Sequence, residues 1–368
     1  MTRCNKAFKY RLEPNSSQEE LIQKTFGCCR FIYNKMLADK IEAYRQDGIN
    51  LKNTPAQYKK EYIWLKEVDS YALCNEQMNL QSAYNNFFRS KKIGFPKFKS
   101  KKHSKKSYTT SNVNNIIRIE NGKIHLSKLG FVKIVQHRQI PENFIIKSAT
   151  ITQTPTNKYF VSVLVEYYRD ENNISLNKEN SIGLDYSSHD FYVDNFGNRA
   201  KYPKFFRIYS EKLAKEQRKL SNMVLHSKNY EKQRLNVAKV HEKIVNCRKD
   251  FLHKLSYDIS NKFDYVFVED IDMKNISQAL KLGKSTMDNG FGMFRNFLQY
   301  KLNSKDKQLI KIGRFMPTST VCSACGCYHK DIVNSLSVRE WVCPDCMTHH
   351  DRDVNAAINI RNIGLSLV

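Results

Sequence analysis

Two C-x2-C pairs, Cys322-Ser-Ala-Cys325 and Cys343-Pro-Asp-Cys346, lie seventeen residues apart near the C-terminal end. Four thiols so spaced leave that stretch little choice of fold. Each tight knuckle offers two sulfurs, and four thiolates complete a tetrahedral Zn²⁺ site with no open position. Zinc held this way is structural. The alternative is four ordinary free thiols. Cys327 has no second thiol at knuckle spacing; His329, His349 and His350 are possible substitute ligands. Cys4, Cys28, Cys29, Cys74 and Cys247 read as buried apolar residues.

The chain has 368 residues, enough for about two domains. Lys and Arg number 61 against 36 Asp and Glu, a net charge of +25. Such an excess attracts a polyanion, and nucleic acid is the usual one. No apolar run reaches the ~18 residues of a spanning helix, and Met1 to Tyr10 has no apolar stretch behind it to make a signal peptide. A cytoplasmic protein with reduced thiols is expected.

Residues 1–12 alternate at Phe8, Tyr10 and Leu12 and read as an edge strand stopped by Pro14. Ser16 and Ser17 can cap a helix running to about Arg45, with Ile22, Phe26, Cys29, Tyr33, Met36, Leu37 and Ile41 at helical spacing. A second helix is expected over Leu73 to Phe88. Lys91, Lys92, Lys97, Lys99, Lys101, Lys102, Lys105 and Lys106 then crowd sixteen residues around Phe95 and Phe98, as a polyanion-binding loop or merely a solvated one. From 108 to about 180 short β-rich runs follow, with Asn121-Gly122 as a hairpin turn, and predict a small antiparallel barrel or sandwich. Beyond it the order is a strand pair (Ser181 to Asn195), long helix (206–262, broken near 226–228), strand (264–268), helix (Phe291 to Asn303) and strand (Leu309 to Phe315). That is an α/β layout.

Two of those strands close on acid: Ser-Ile-Gly-Leu-Asp185 and Tyr-Val-Phe-Val-Glu269. A third acid, Asp353, follows the second cysteine pair by seven residues and opens a short helix from Val354 to Asn362. Two-metal phosphodiester cleavage needs acids that hold two Mg²⁺ about 4 Å apart, and Mg²⁺ is content with few carboxylates and several waters. One acid ending a strand is usually surface; three in this order beside a ribbon point to a metal-dependent nuclease. Asp270, Asp272, Asp190 and Asp194 are neighbouring decoys, and Asp351 is expected to cap the helix.

These residues resemble the TnpB family, insertion-sequence-associated RNA-guided nucleases similar to type V CRISPR effectors. The resemblance runs through Phe8-Lys-Tyr-Arg-Leu-Glu-Pro-Asn15, Cys29-Arg-Phe-Ile-Tyr-Asn34, Phe95-Pro-Lys-Phe-Lys-Ser-Lys101, Glu269-Asp-Ile271 and, most specifically, Asp353-Val-Asn-Ala-Ala-Ile-Asn-Ile360. It implies an α+β multidomain fold. A wedge-like β-barrel would span 1–14 and 107–178, with a helical recognition lobe at 15–106. An RNase H-like (RuvC) nuclease would span 179–318 and 349–368, with a zinc ribbon at 319–348. It implies catalysis and Mg²⁺ binding by Asp185, Glu269 and Asp353, a guide RNA from the element's own 3′ end, and a duplex DNA target beside a short adjacent motif. A nucleoid-associated bacterial or archaeal setting follows. Two departures stand out. Ser187 replaces the second glycine of the family's first acidic turn, and the chain ends eight residues past Ile360, so functions carried by a tail elsewhere are expected to be absent.

The leading expectation is thus an RNA-guided DNA endonuclease. The alternatives are an RNA-guided DNA-binding regulator without cleavage, whose relatives lose the acids present here, and an accessory DNA-binding protein or transposase, although a Tyr nucleophile would need a His-x-His pair that this chain does not have.

Overall fold

A computed structural model describes residues 1–90, 92–170, 175–273, 288, 290–314, 316–331 and 338–368. The chain divides into two compact units, Met1–Asp170 and Glu171–Val368. The fold is mixed α/β. Among the described residues, no helix is long and apolar enough to cross a membrane.

In the first unit, strand β1 (Thr2–Glu13) buries Phe8, Tyr10 and Leu12 and exposes Lys9 between them. It is not the edge strand that its alternation suggests. It pairs with β7 (Tyr159–Arg169) from Thr2 to Leu12 and with β5 (Gly130–Val135) through Arg11 to Glu13. Alternation reports one buried face and says nothing about how many flanks are paired. With β2 (Ser107–Ser111), β3 (Arg118–Glu120), β4 (Lys123–Leu126) and β6 (Ile145–Gln153), it builds a seven-stranded antiparallel sheet in the order β2-β6-β7-β1-β5-β4-β3. Asn121 and Gly122 take φ of 48° and 70°, the left-handed pair that a tight two-residue hairpin demands.

Helix α1 (Ser16–Asp47) starts on a different residue from the two serines expected. Asn15 accepts from Gln18 N at 2.9 Å, and the Gln18 side chain accepts from Asn15 N at 3.1 Å, a closed capping box. Ser16 is already helical. Ile22, Phe26, Cys29, Tyr33, Met36 and Leu37 form the buried stripe of α1. A short helix α2 (Pro55–Glu61) and a single 3-10 turn (Ile63–Lys66) follow, neither anticipated, since seven residues carry too little periodicity to read. Helix α3 (Ser70–Arg89) is capped by Asp69.

In the second unit, β8 (Ser181–Ser187), β9 (Phe191–Asp194), β10 (Tyr265–Glu269) and β11 (Gln308–Ile312) form a sheet in the order β11-β10-β8-β9. β10 runs parallel to β8 and β11, and β9 returns antiparallel to β8. Tyr265 to Val268 are all buried, as a strand covered on both faces must be. Period-two alternation sorts their side chains. Val266, Val268, Ile182 and Leu184 pack on one face against α5 (Lys228–Lys262) and α6 (Phe291–Asn303). Tyr265 and Phe267 pack on the other against α7 (Arg352–Leu365), through Ile360. Helix α4 (Phe205–Ser221) lies along α5.

Two glycines let α7 settle on the sheet. A Cβ on Gly183 would meet Ala357 O at 2.2 Å, and a Cβ on Gly364 would meet the Phe267 ring at 2.0 Å.

Candidate functional site

The alternation that sorts the core also sorts the acids. On β8, Ile182 and Leu184 face α5 and α6, so Gly183 and Asp185 face α7. On β10, Val266 and Val268 face α5 and α6, so Phe267 and Glu269 face α7. The parallel register ends on Val268↔Leu184, and Asp185 and Glu269 are the next residues of the two strands. Neighbouring strands lie about 4.8 Å apart, so the two carboxylates emerge side by side on one face. Asp185 is not at the end of its strand, as expected, but two residues inside it; only the parallel pairing stops there. Asp353 comes to the same face in the first turn of α7.

The electrostatics record this crowding. Burial, and then the charges of Glu269 and Asp353, hold the Asp185 carboxyl well above the usual carboxylate range, against a smaller pull from Arg352 and the Tyr186 N–H. Burial also raises Glu269, although the Thr318 hydroxyl donates to its Oε1 at 2.6 Å and opposes the shift. Asp353 meets cations instead: Arg339 Nη1 lies 3.2 Å and Arg199 Nη1 3.7 Å from its Oδ2. Like charges gathered in a half-buried place are costly unless a cation joins them. The three acids offer only hard oxygens, the donor class that a divalent cation such as Mg²⁺ prefers, although they are not drawn within 4.8 Å of one another as the cysteine sulfurs below are.

The neighbouring acids are otherwise engaged. Asp270 faces the opposite side, toward Arg295 of α6, Lys311 and Arg314. Asp351 caps α7, accepting from Asp353 N and Val354 N, both at 3.0 Å. Asp194 accepts from Phe196 N and Asn198 N in the turn after β9. Ser187, where the family pattern has glycine, accepts from Asp190 N at 3.1 Å and closes the β8–β9 turn with its hydroxyl.

Sulfur atoms of Cys322, Cys325, Cys343 and Cys346 all lie within 4.8 Å of one another. Each knuckle closes on a left-handed residue just after its second cysteine, Gly326 at φ 79° and Met347 at φ 59°. Cys322 O accepts from Gly326 N, and Cys343 O from Met347 N. The Thr348 hydroxyl, 3.2 Å from Cys346 Sγ, is the main cause of a thiol lowered to about 6, whereas burial pushes the Cys322 thiol up. Four converging sulfurs fit zinc. His350 Nε2 lies 3.0 Å from Cys322 Sγ and His329 Nε2 3.3 Å from Cys343 Sγ, so both histidines border the quartet. His349 turns instead toward Glu340. Cys325 and Cys327 also converge with Asp345, as do His329 and Cys343.

This cysteine cluster is joined to the acids without slack. The second knuckle tips a hairpin of β12 (Glu340–Val342) and β13 (His349–Asp351), and α7 begins at the next residue. Two amides complete the link. Asn355 Nδ2 donates to Val321 O at 2.8 Å, while its Oδ1 accepts from Ser323 N. One helical turn on, Asn359 Nδ2 donates to Thr318 O at 2.8 Å and Val321 O at 2.7 Å. Thr318 is the residue that orients Glu269. These roles were not assigned from the sequence, although two amides at i and i+4 on the inner side of a helix signal a backbone partner. Asn359→Ala strands the buried Thr318 carbonyl and leaves the Val321 carbonyl to Asn355 alone, and is expected to cost about 1–3 kcal/mol. Urea unfolding would register it; an unchanged midpoint would show that the link is idle.

The lysine-rich loop belongs to the first unit. Lys92, Lys97, Lys101, Lys102, Lys105 and Lys106 are exposed. Lys91 lies outside the described residues. Lys99 is turned inward: its ammonium pairs with buried Glu76 and sits 4.1 Å from the Tyr33 ring centroid. Its backbone is pinned on both sides by Asn34, at 2.8 Å each.

Residues 1–48 match a family described as a helix-turn-helix domain, although this chain has a strand and one long helix there. Residues 162–280 match one described as "Probable transposase", and residues 291–360 one described as Cas12f1-like, TNB domain. A Streptomyces pristinaespiralis protein provisionally named an RNA-guided DNA endonuclease is 34% identical over 376 residues, covering 100% of this chain and 91% of its own. InsQ of Escherichia coli K12, provisionally named in the same way, is 28% identical over 381 residues, covering 97% of this chain and 92% of its own. A Cas12f1 chain, solved in complex with its sgRNA and target DNA, superposes with a TM-score of 0.62 at 12% identity, covering 98% of this chain and 99% of that one, a likeness of fold.

Proposed function

The chain belongs to the TnpB family, and on that premise we propose that it is an RNA-guided, metal-dependent DNA endonuclease of a transposable element. The observation that carries the reading is the placement of Asp185, Glu269 and Asp353 on one face of the sheet, where the first two are raised by burial and Asp185 also by the charges of the other two.

In this reading the second unit is a RuvC-like nuclease, and the seven-stranded sheet of the first is the wedge barrel, with 15–106 as the recognition lobe. Bound divalent cations supply the Lewis acidity that activates water and steadies the leaving oxygen. Asp185, Glu269 and Asp353 hold them. Thr318 fixes the Glu269 carboxylate through its 2.6 Å hydrogen bond. Cys322, Cys325, Cys343 and Cys346 hold a structural zinc that sets where α7, and hence Asp353, begins. The net charge of +25 suits a bound RNA and a DNA duplex. The exposed lysines of the 92–106 loop contact phosphates, with Lys99 as an anchor rather than a contact. Base pairing to the guide selects the sequence.

Cys343→Ser is expected to empty the zinc site and loosen the start of α7, as metal analysis and limited proteolysis would reveal. Purified wild-type protein without zinc would remove the ribbon from the account. The whole reading is tested by sequencing the RNA that co-purifies with the protein. A discrete RNA from the gene's own 3′ flank is expected; random RNA would overturn it.

A further inference from the structure

Arg199 lies just beyond β9, where its backbone bridges Val193, the residue that pairs with Asp185 on β8. Its guanidinium is a fork. Nη1 lies 2.8 Å from Asp190 Oδ2 in the β8–β9 turn, and Nη2 lies 2.7 Å from Asp351 Oδ2 at the start of α7. Asp351 spends its other oxygen on Asp353 N and Val354 N. A continuous polar chain therefore runs from the turn beside the first acid to the helix that carries the third. Asp353 Oδ2 stands 3.7 Å from Nη1, outside hydrogen-bond reach. The fork thus spends its hydrogen bonds on the two acids that are not expected to bind metal and keeps only a looser 3.7 Å ion pair with Asp353. Exposed Arg339, 3.2 Å from the same oxygen, is a second cation there.

We propose that Arg199 is a positioning residue for the divalent-cation site, holding the α7 N-terminus against the β8–β9 turn so that Asp353 faces Asp185 and Glu269. This rests on the nuclease reading above. Asp190 shows the strength of the tie: burial alone would raise its carboxyl, yet the bonds from Arg199 and His189 bring it below the usual value. A planar fork reaches both carboxylates at once; a lysine ammonium is a point charge on a flexible stem and does not reproduce it.

Positioning and plain charge make opposite forecasts. A cation 3.7 Å from a metal ligand repels the metal, so deleting Arg199 should tighten metal binding if charge were its whole effect. If Arg199 positions Asp353, deleting it weakens binding in spite of the relieved repulsion. The experiment is Mn²⁺ titration of the full-length, zinc-loaded protein, with free Mn²⁺ read by electron paramagnetic resonance. R199Q and R199K are each expected to raise the Mn²⁺ dissociation constant about 10–100-fold, the usual effect of removing a residue that orients a metal ligand. R199K keeps the charge and is the milder change, so it carries the test if R199Q does not fold. Mn²⁺ affinity unchanged or tightened in the folded variants overturns the proposal. D353N separates the two levels. If D353N loses Mn²⁺ and the Arg199 variants keep it, only the role of Arg199 falls. If D353N binds Mn²⁺ as the wild type does, the metal site itself is wrong and this inference falls with it.

Discussion

Asp185→Asn is expected to cut DNA at least about 10³-fold more slowly than the wild type and, in the absence of metal, to melt at a higher temperature. The second half follows from the charges. Burial first, then Glu269 and Asp353, raise the Asp185 carboxyl above its ordinary 3.8. A carboxyl raised on folding holds its proton more tightly in the folded chain. Its contribution to stability is therefore fully present below the ordinary value and is lost as the pH climbs through the raised one. At neutral pH the metal-free wild type carries either the repulsion of those charges or a proton that the unfolded chain has released, and Asn carries neither. The gain should be about 1 kcal/mol, or 2–4 °C in a unit of this size. Added Mg²⁺ should reverse the order, because a ligand bound only by the folded wild type raises its stability. Thermal unfolding of both zinc-loaded proteins without and with added Mg²⁺, at neutral pH and near pH 4, checks these statements. The gap should close on acidification. A lower melting temperature for Asp185→Asn without Mg²⁺ at neutral pH would contradict the crowding described for the site.

Gly183→Ala and Gly364→Ala are expected to be severe for a different reason. A methyl on Gly364 would sit 2.0 Å from Cδ1 of Phe267, which is fully buried in the strand that carries Glu269. A methyl on Gly183 would sit 2.2 Å from Ala357 O and 2.8 Å from Arg361 N, which are backbone atoms that no rotamer change can move. Relief requires α7 to leave the sheet. The cost should be about 3 kcal/mol or more. Because α7 carries Asp353, cutting should fall further than stability does; a displacement of about 1 Å at a reacting group can cost 10²-fold. Urea unfolding and single-turnover cutting on the fraction that remains folded separate the two effects. Wild-type stability in Gly183→Ala would show that α7 does not pack where it is placed.

Much of the second unit was legible because its signals are local. Ile182 and Leu184 on one strand, and Val266 and Val268 on the other, mark a face, and the acids take the opposite phase. The helix over Phe291 to Asn303 came out at its observed ends. What escaped depends on partners far along the chain. The flanking of β1 is decided by residues more than a hundred positions away. Arg199 sits in a short polar stretch without periodicity, and its partner Asp351 is 152 residues on. The lysines of 91–106 look alike as letters; burial of Glu76 beneath the loop sets Lys99 apart. At the start of α1, three polar residues in a row could cap, and the reach of Gln18 back to Asn15 decided among them.

Asp185, Glu269 and Asp353 are expected to cut DNA chosen by a bound RNA. The most direct test is cleavage, in Mg²⁺, of a duplex matched to the RNA that co-purifies with the protein, by the wild type and by Glu269→Gln. The wild type is expected to cut the matched duplex and leave a scrambled one intact, and Glu269→Gln to bind the matched duplex with near wild-type affinity without cutting it. Equal cutting by Glu269→Gln, or cutting that ignores the match, would contradict that expectation.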